Sequence, residues 1–245
     1  MTAQHQRHIG LISPPRMGNN IKRLLRKHGH ECSVFSWCST EIGEESCEPS
    51  SGTTLADFIH QLPKPRILWV IVPTSNEFSD LADQLLQCLE PDDIIIDNKN
   101  SYCQGSDFCA EKLKQHGIHY VDVGTSTSAS NVKRGYCLMI GGDPDVVQYL
   151  EPIFQALTPT PKAKPSSAKS NLSNLKRKRC KVKPAVTHLY CGEAGAGHFA
   201  RQFYEGVEES LMRAYAEVLA ERDRPDLDAP IPSAKKPVGA HPANK

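Results

Sequence analysis

The chain has 245 residues and carries 29 lysine and arginine residues against 28 aspartate and glutamate residues, a formal net charge of +1. This balance gives no global electrostatic attraction to nucleic acid or to a membrane surface. The N-terminal residues M-T-A-Q-H-Q-R-H reach no apolar stretch like that of a signal peptide, and no segment approaches the roughly 20 apolar residues that span a bilayer. We therefore expect a soluble, cytoplasmic protein that does not bind membranes, with one large domain or two small ones.

The cysteines and histidines do not form a metal-binding pattern. Nine cysteines and ten histidines are scattered along the chain without a C-x-x-C pair. Zinc ribbons and disulfide frameworks need closer and more regular spacing. We expect reduced thiols, surface histidines and no metal site.

The first 156 residues alternate between strand-like and helix-like patterns. The apolar run 67–72 (I-L-W-V-I-V) is typical of a strand buried on both faces of a parallel sheet. The predicted strands are 8–12, 31–37, 67–72, 94–97, 118–123 and 137–140, and the predicted helices are 19–28, 77–89, 106–116 and 144–156. This order predicts an α/β fold in which residues 1–156 form a Rossmann-type, doubly wound parallel sheet.

A change of composition separates this domain from the rest of the chain. Residues 157–187 are rich in proline, serine and lysine and have no periodic apolar residues, so we expect a flexible basic linker or insertion. The basic run from Lys176 to Lys183 could instead be a nuclear import signal or a nucleic-acid patch. A solvated linker is the preferred interpretation, and nucleic acid is not an expected partner.

A long amphipathic helix is predicted over residues 195–223. Its apolar stripe, called the α6 stripe below, consists of Phe199, Phe203, Val207, Leu211, Tyr215 and Val218. We assign residues 188–224 to a helical segment and expect the proline-rich tail 225–245 to be disordered. An apolar stripe of this size predicts packing on the first domain or self-association into a homo-oligomer.

Several motifs occur together in a fixed order. They are I-G-L…R-M-G-N-N at 9–20, I-I-D-N-K-N-S-Y at 95–102, V-D-V-G-T-S at 121–126, R-G-Y-C-L-M-I-G-G at 134–142 and C-G-x-x-G-A-G-H-F at 191–199. The set resembles the shorter, bacterial-type branch of the 6-phosphogluconate dehydrogenase family, in a truncated and divergent form. The resemblance covers about residues 8 to 220 and implies a Rossmann-type domain followed by the start of an all-α C-terminal domain. Family members oxidise 6-phosphogluconate with a nicotinamide cofactor and release carbon dioxide and ribulose 5-phosphate.

The resemblance implies a site for NAD or NADP at the first turn. The family's G-L-G-R-M-G is compared with G-L-I-S-P-P-R-M-G, so that Gly10 and Gly18 are interpreted as the outer glycines of a turn three residues longer. Pro14 and Pro15 remove two backbone donors, while Ser13 is expected to cap the helix with Pro14 at its first position. The implied cofactor-binding residues are Gly10, Leu11, Arg16, Met17, Gly18, Val72, Pro73 and Asn100.

Substrate positions follow from the same comparison. The family's G-G-N-S aligns with Asn98, Lys99, Asn100 and Ser101, and its S-G-G aligns with Ser126, Thr127 and Ser128. The implied substrate, a sugar phosphate acid, would be bound by Asn100, Ser126, Thr127, Ser128, Tyr204 and Glu205. The side chains at 127 and 128 replace bare glycine backbone and are expected to crowd the pocket.

The start of the long helix resembles the family's catalytic segment, G-H-F-x-K-x-x-H-N-G-x-E-Y. Here it reads G-H-F-A-R-Q-F-Y-E-G-V-E-E, so Arg201 stands at the position of the general base lysine, while Glu208 retains the position of the general acid. A guanidinium group does not lose its proton at ordinary pH. Glu205 would repel an anionic substrate and could pair with Arg201 one turn away, which makes a surface salt-bridge ladder over 201–208 the preferred interpretation.

Two functional hypotheses remain open at this point. The chain is a 6-phosphogluconate dehydrogenase-like oxidoreductase of the pentose phosphate pathway, or it is a catalytically impaired relative. The second would keep the fold and act by ligand binding or by association with another subunit. A protein that serves only as a scaffold would not bind NAD(P), so cofactor binding would support one of the two hypotheses. Turnover would then distinguish the oxidoreductase from the impaired relative.

Overall fold

A computed structural model of the chain describes residues 6–37, 54–99, 106–126, 135–158 and 188–222. The strands are β1 (His8–Ser13), β2 (Glu31–Ser36), β3 (Ile67–Val70), β4 (Ile94–Asp97), β5 (His119–Ser126), β6 (Cys137–Gly142) and β7 (His188–Gly192). The helices are α1 (Pro15–Lys27), α2 (Leu55–His60), α3 (Ser75–Leu86), α4 (Ser106–Gln115), α5 (Pro144–Leu157) and α6 (Ala196–Arg222). The ten elements predicted from the sequence before residue 157 are therefore all present, and α2 and β7 are additional.

The strands form one seven-stranded sheet in the order β2-β1-β3-β4-β5-β6-β7. All neighbouring pairs are parallel except β5 and β6, which are antiparallel. Only ten residues separate Ser126, at the end of β5, from Cys137, at the start of β6, and a parallel pair needs a crossover of about a dozen or more. The predicted doubly wound, Rossmann-type architecture is confirmed. The sheet was predicted to be parallel, and the antiparallel pair β5–β6 is the one correction to that prediction.

The sheet is covered on both faces by apolar cores. One core lies against α1 and α5 and includes Trp69, Leu150 and Phe154, and the other lies against α2, α3 and α4 and includes Phe58, Phe78 and Leu81. All four residues of β3 are buried, as the apolar run predicts.

Local sequence signals explain the helix starts. Thr74 accepts a hydrogen bond from the backbone of Glu77, whose side chain accepts one from the backbone of Thr74, which makes a capping box at the start of α3. Asp143 accepts from the backbone amides of Asp145 and Val146 and caps α5.

The chain divides into two compact units, Met1–Phe203 and Tyr204–Lys245. Strand β7 pairs with β6, so the predicted helical segment 188–224 begins with a strand of the sheet. The described part of the second unit is the rest of α6. None of the helices in the described ranges is long and apolar enough to cross a membrane. The predicted linker 157–187 and tail 225–245 fall outside the described residues, except for the end of α5 and Thr158.

Candidate functional site

The first parallel strands of the sheet end at a common edge, where doubly wound folds bind their ligands. Strand β1 leads into α1 through Ser13 and Pro14, and Val72 and Pro73 follow the end of β3. Ser126 is the last residue of β5. The sequence-predicted residues Asn100, Thr127 and Ser128 lie outside the described residues.

Gly10 and Leu11 do not belong to the turn after β1. Both lie inside the strand, and Leu11 is fully buried in the core. A Cβ atom built on Gly10 would lie 2.5 Å from Leu62 Cδ1, so Gly10 makes room for the core packed beneath β1. The strand runs three residues beyond Gly10 before the chain turns at Ser13, and the assignment of Gly10 and Leu11 as cofactor residues stays a prediction.

The turn itself is made by Ser13, Pro14 and Pro15. Pro14 is the N-cap residue of α1, Pro15 occupies the first turn, and no side chain caps the helix. The predicted cap by Ser13 is therefore wrong by one position, and Ser13 Oγ donates to the carbonyl oxygen of Pro14 at 3.2 Å. A Cβ atom on Gly18 would lie 2.3 Å from Ser13 Oγ, so a larger residue there would force the Ser13 hydroxyl to move.

This turn can still face an anion, with fewer donors than a glycine-rich one. The early amides of a helix have no acceptor within the helix, and here those of Arg16 and Met17 follow the two prolines, which have no N–H. They are the donors that the helix start retains for a cofactor phosphate. The site fits a dinucleotide by its topology, and its first turn offers a phosphate fewer backbone donors than a glycine-rich turn does.

A small cleft lies beside the start of α1. Its lining is mostly apolar and consists of Met17, Ile21, Trp69, Asn98, Thr125, Tyr136, Leu138 and Leu157. Asn98 is fixed there, because Trp69 Nε1 donates to its Oδ1 at 3.3 Å and its Nδ2 donates to the carbonyl oxygen of Val123 at 2.7 Å. Of the predicted cofactor residues, Met17 lines this cleft, whereas Asn98 was aligned with a family glycine and was not predicted as a site residue.

A buried ionic cluster occupies the end of β4. Lys99 Nζ lies 3.1 Å from Asp97 Oδ2, and Tyr120 donates its hydroxyl to the same oxygen at 2.7 Å. Asp97 is fully buried and Lys99 is 1% exposed, with its ammonium 5.1 Å from the centre of the Phe78 ring. Lys99 therefore fills a place where the family pattern has a glycine, and its charge is neutralised within the protein.

Asp122 links β5 to the start of α6. Its carboxylate is fully buried and accepts from the backbone amides of Gly195 and His198, each at 2.6 Å. Burial raises the pKa of the Asp122 carboxyl, against the opposing effects of His198 and the two amides. Burial lowers the pKa of His198, whose ring nitrogen Nδ1 lies 3.7 Å from Asp122.

Glycines let α6 lie directly on the sheet. A Cβ atom on Gly197 would be 2.5 Å from the carbonyl oxygen of Met139, and one on Gly124 would be 2.5 Å from Arg201 Cβ. Backbone therefore packs on backbone at this junction. Arg201 is placed against Gly124 and is only 9% exposed. The predicted salt-bridge ladder over 201–208 would therefore begin at a buried residue, and it stays a prediction.

The remaining catalytic candidates lie on α6 within the second unit. Tyr204, Glu205 and Glu208 are all exposed. Arg16 is in the first turn of α1. Within the described ranges, no group of three histidine, cysteine, aspartate or glutamate side chains could hold a metal ion.

Comparison with known proteins gives a consistent family. Residues 8–163 match the model of the NAD binding domain of 6-phosphogluconate dehydrogenase. The Bacillus subtilis protein YqeC, provisionally named a 6-phosphogluconate dehydrogenase, is 32% identical over 210 residues, which cover 85% of this chain and 62% of that protein. The NAD(+)-dependent, decarboxylating 6-phosphogluconate dehydrogenase of Haloferax volcanii is 28% identical over 90% of this chain and 66% of that enzyme.

Solved structures show the same fold at lower identity. The 6-phosphogluconate dehydrogenase of Plasmodium falciparum has a TM-score of 0.67 at 20% identity over 87% of this chain and 43% of that one. The 3-hydroxyisobutyrate dehydrogenase of Mycobacterium tuberculosis has a TM-score of 0.64 at 16% identity over 89% of this chain and 66% of that one. The chain thus spans no more than 66% of the length of any of these four proteins.

Proposed function

Because the chain belongs to the family defined by the NAD-binding domain of 6-phosphogluconate dehydrogenase, we propose that it is a catalytically impaired oxidoreductase directed at 6-phosphogluconate. The reaction proposed is the oxidative decarboxylation of this sugar phosphate acid to ribulose 5-phosphate and carbon dioxide. It is a step of the pentose phosphate pathway, and a cytoplasmic place of action is part of the proposal.

NAD or NADP is the cofactor of this domain family. When bound, it supplies the acceptor for the hydride that leaves the substrate. The backbone amides of Arg16 and Met17 would hold its phosphates at the start of α1, and Met17 and Asn98 would border it in the adjoining cleft. With two prolines before these amides, we expect binding that is weaker than at a glycine-rich turn.

The observation that carries the proposal is the buried guanidinium of Arg201. It stands where the family motif has a lysine that accepts the proton of the substrate hydroxyl, and a guanidinium remains protonated at ordinary pH. The Cβ and Cδ atoms of Arg201 lie close to Gly124, where a built Cβ atom would be 2.5 Å and 3.2 Å from them. Arg201 can bind a carboxylate or phosphate, but it does not replace the base, a function that typically contributes about 10²–10⁴-fold to the rate.

Glu208 keeps the position of the general acid. Its neighbour Glu205 brings a second carboxylate to the same exposed face of α6, where the family has an asparagine that contacts substrate. A substrate with its own carboxylate and phosphate would be repelled by Glu205. Loss of the base and repulsion by Glu205 act in the same direction, toward slow turnover.

Restoring the two altered residues tests the proposal. Calorimetric titration with NAD, NADP and 6-phosphogluconate measures binding, and a coupled assay measures turnover. We expect Arg201→Lys with Glu205→Asn to raise turnover on the order of 10²-fold or more. Arg213→Lys is the matched control, because Arg213 is exposed on the same helix and pairs with Glu209. No binding of either cofactor, or no gain in the double variant, would contradict the proposal.

A second candidate function is association through the α6 stripe. Its six residues, Phe199, Phe203, Val207, Leu211, Tyr215 and Val218, are between 46% and 68% exposed. Apolar area of this kind is typical of a protein–protein contact. We propose that it mediates self-association, which Leu211→Glu should weaken in sedimentation velocity. Ala216→Glu adds the same charge away from the stripe and should leave self-association unchanged. A wild-type protein that is monomeric at all concentrations would contradict this proposal.

A further inference from the structure

We propose that Asp122 is a positioning residue that holds the first turn of α6 on the sheet and thereby sets the place of Arg201. The proposal rests on the proposed function only in treating Arg201 as a ligand contact. The mechanical part, from Asp122 to the helix, stands independently of any substrate.

Asp122 acts as a helix cap supplied by a neighbouring strand. Gly195 immediately precedes α6 and has no side chain with which to cap it, and His198 is the third residue of the helix. The two oxygens of Asp122 accept from the amides of these residues, Oδ1 from Gly195 and Oδ2 from His198. These are donors that have no acceptor within a helix, so a single carboxylate from β5 satisfies the positions that a capping box would serve.

The cap acts together with close backbone packing. Gly197 lies between the two capped residues, and a Cβ atom there would be 2.8 Å from the carbonyl oxygen of Asp122 and 2.8 Å from the amide of Gly141. A shift of the first turn of α6 relative to β5 and β6 would therefore break the hydrogen bonds to Asp122 or bring the backbone of Gly197 too close to that of the strands. One turn further on, Arg201 rests on Gly124, so its place follows from the position of the capped turn.

Ionisable groups surround this cap. Asp122 interacts with His198 from α6, with Asp97 at the end of β4 and with the Cys191 thiol of β7, while Lys99 acts on His198. Burial favours the neutral carboxyl and the two amides favour the carboxylate, and the raised pKa of Asp122 means that burial is the larger influence.

Hydrogen exchange on the full chain tests the mechanical part. In Asp122→Asn the side-chain amide cannot accept both N–H groups, and we expect the amides of residues 195–201 to exchange at least about tenfold faster than in the wild type. Asp143→Asn is the control for the same substitution at another capping aspartate, because Asp143 caps α5 through its Oδ1 and the change should leave 195–201 unchanged. Equal protection of 195–201 in Asp122→Asn and the wild type would overturn the proposal.

Two further measurements keep the proposal testable. If Asp122→Asn fails to fold, the wild-type protein decides the question: the amides of Gly195 and His198 should exchange at least about tenfold more slowly, after correction for intrinsic rates, than the uncapped amides of Arg16 and Met17 at the start of α1. Equal protection at the two helix starts would overturn the proposal. For ligand binding, Asp122→Asn should weaken 6-phosphogluconate affinity in a background with Arg201 and have no added effect in Arg201→Ala. A wild type that does not bind 6-phosphogluconate would refute the proposed substrate, while the exchange result would still decide the role of Asp122.

Discussion

Two helix starts beside the same sheet are built in opposite ways. At the start of α1 two prolines replace amide donors, no side chain caps the helix, and Ser13 fills the space above Gly18. At the start of α6 a buried carboxylate from another strand caps the helix, and glycines bring its backbone onto β5 and β6. The start of α1 therefore offers an anion fewer backbone donors, whereas the start of α6 is held by hydrogen bonds and close backbone packing.

The difference separates two requirements that a dehydrogenase site normally meets together. Holding α6 in place depends on backbone packing and on Asp122, and these contacts are complete. Under the proposed function, chemistry at the site would need donors for phosphate and a proton acceptor, and Pro14, Pro15 and Arg201 would each remove one of these groups. A scaffold can therefore be well ordered while its chemistry is weak.

The largest effect on stability should come from the packing of α6 on the sheet. Gly197→Ala places a methyl group 2.5 Å from the carbonyl oxygen of Met139, and we expect it to lower the free energy of unfolding by about 1–3 kcal/mol. Gly206→Ala on the same helix meets no atom within 4 Å and should raise that free energy by about 0.5–1 kcal/mol. Urea unfolding of both variants checks the pair, and equal effects of the same sign would show that the junction is loosely packed.

At the start of α1, restoring a backbone donor should strengthen cofactor binding while it lowers stability. Pro15→Gly restores one N–H at the start of α1, and one charge-assisted hydrogen bond should tighten NAD(P) binding by about tenfold. The same change should lower stability by about 0.4–1 kcal/mol because the unfolded chain gains freedom. Pro63→Gly, an exposed proline outside the site, should reproduce only the stability loss. Unchanged cofactor affinity in Pro15→Gly would mean that phosphate does not meet this turn.

A smaller effect is expected from the buried histidines. Arg7 donates its backbone N–H to His30 Nδ1, so the neutral ring donates from Nε2 to the carbonyl oxygen of Pro152. Burial lowers the pKa of both His30 and His198, so the unfolded chain takes up protons first and stability falls as the pH drops below about 6.5. Each group contributes at most about 1.4 kcal/mol per pH unit.

Denaturant unfolding at pH 7.5 and pH 5.5 measures this loss, and His30→Gln should reduce it. Asp122 works with the opposite sign. Its raised pKa means that its contribution to stability is present at acid pH and is lost as the pH rises through the folded-state pKa. A wild type that becomes more stable between pH 7.5 and pH 5.5 would show that Asp122 outweighs the histidines.

Much of the fold could be predicted because its signals are local. The apolar runs of β3 and β4 and the spacing of Ile21, Leu24 and Leu25 in α1 identify their elements without tertiary information. Strand β7 was missed because its sequence, H-L-Y-C-G, is short and partly exposed and becomes a strand through pairing with β6. Helix α2 was missed because it has only six residues, although the capping box of Thr54 and Asp57 marks its start.

The site was less predictable because its contacts are distant in sequence. Asp122 lies 73 residues before Gly195 and 76 before His198, and nothing local indicates that it caps their helix. Lys99 is buried although lysine is rarely buried without a partner, and Asp97 supplies that partner two residues away. The place of Gly10 inside β1 could be predicted from the sequence, since the predicted strand 8–12 contains that glycine.

The turnover of the unmodified protein tests the central claim most directly. Purified wild type should bind NAD or NADP, yet reduce it with 6-phosphogluconate at least about 10²-fold more slowly than the 1–10³ s⁻¹ typical of enzymes, because Arg201 does not accept the substrate proton. Cofactor reduction within that ordinary range, by a preparation free of other dehydrogenases, would contradict the account.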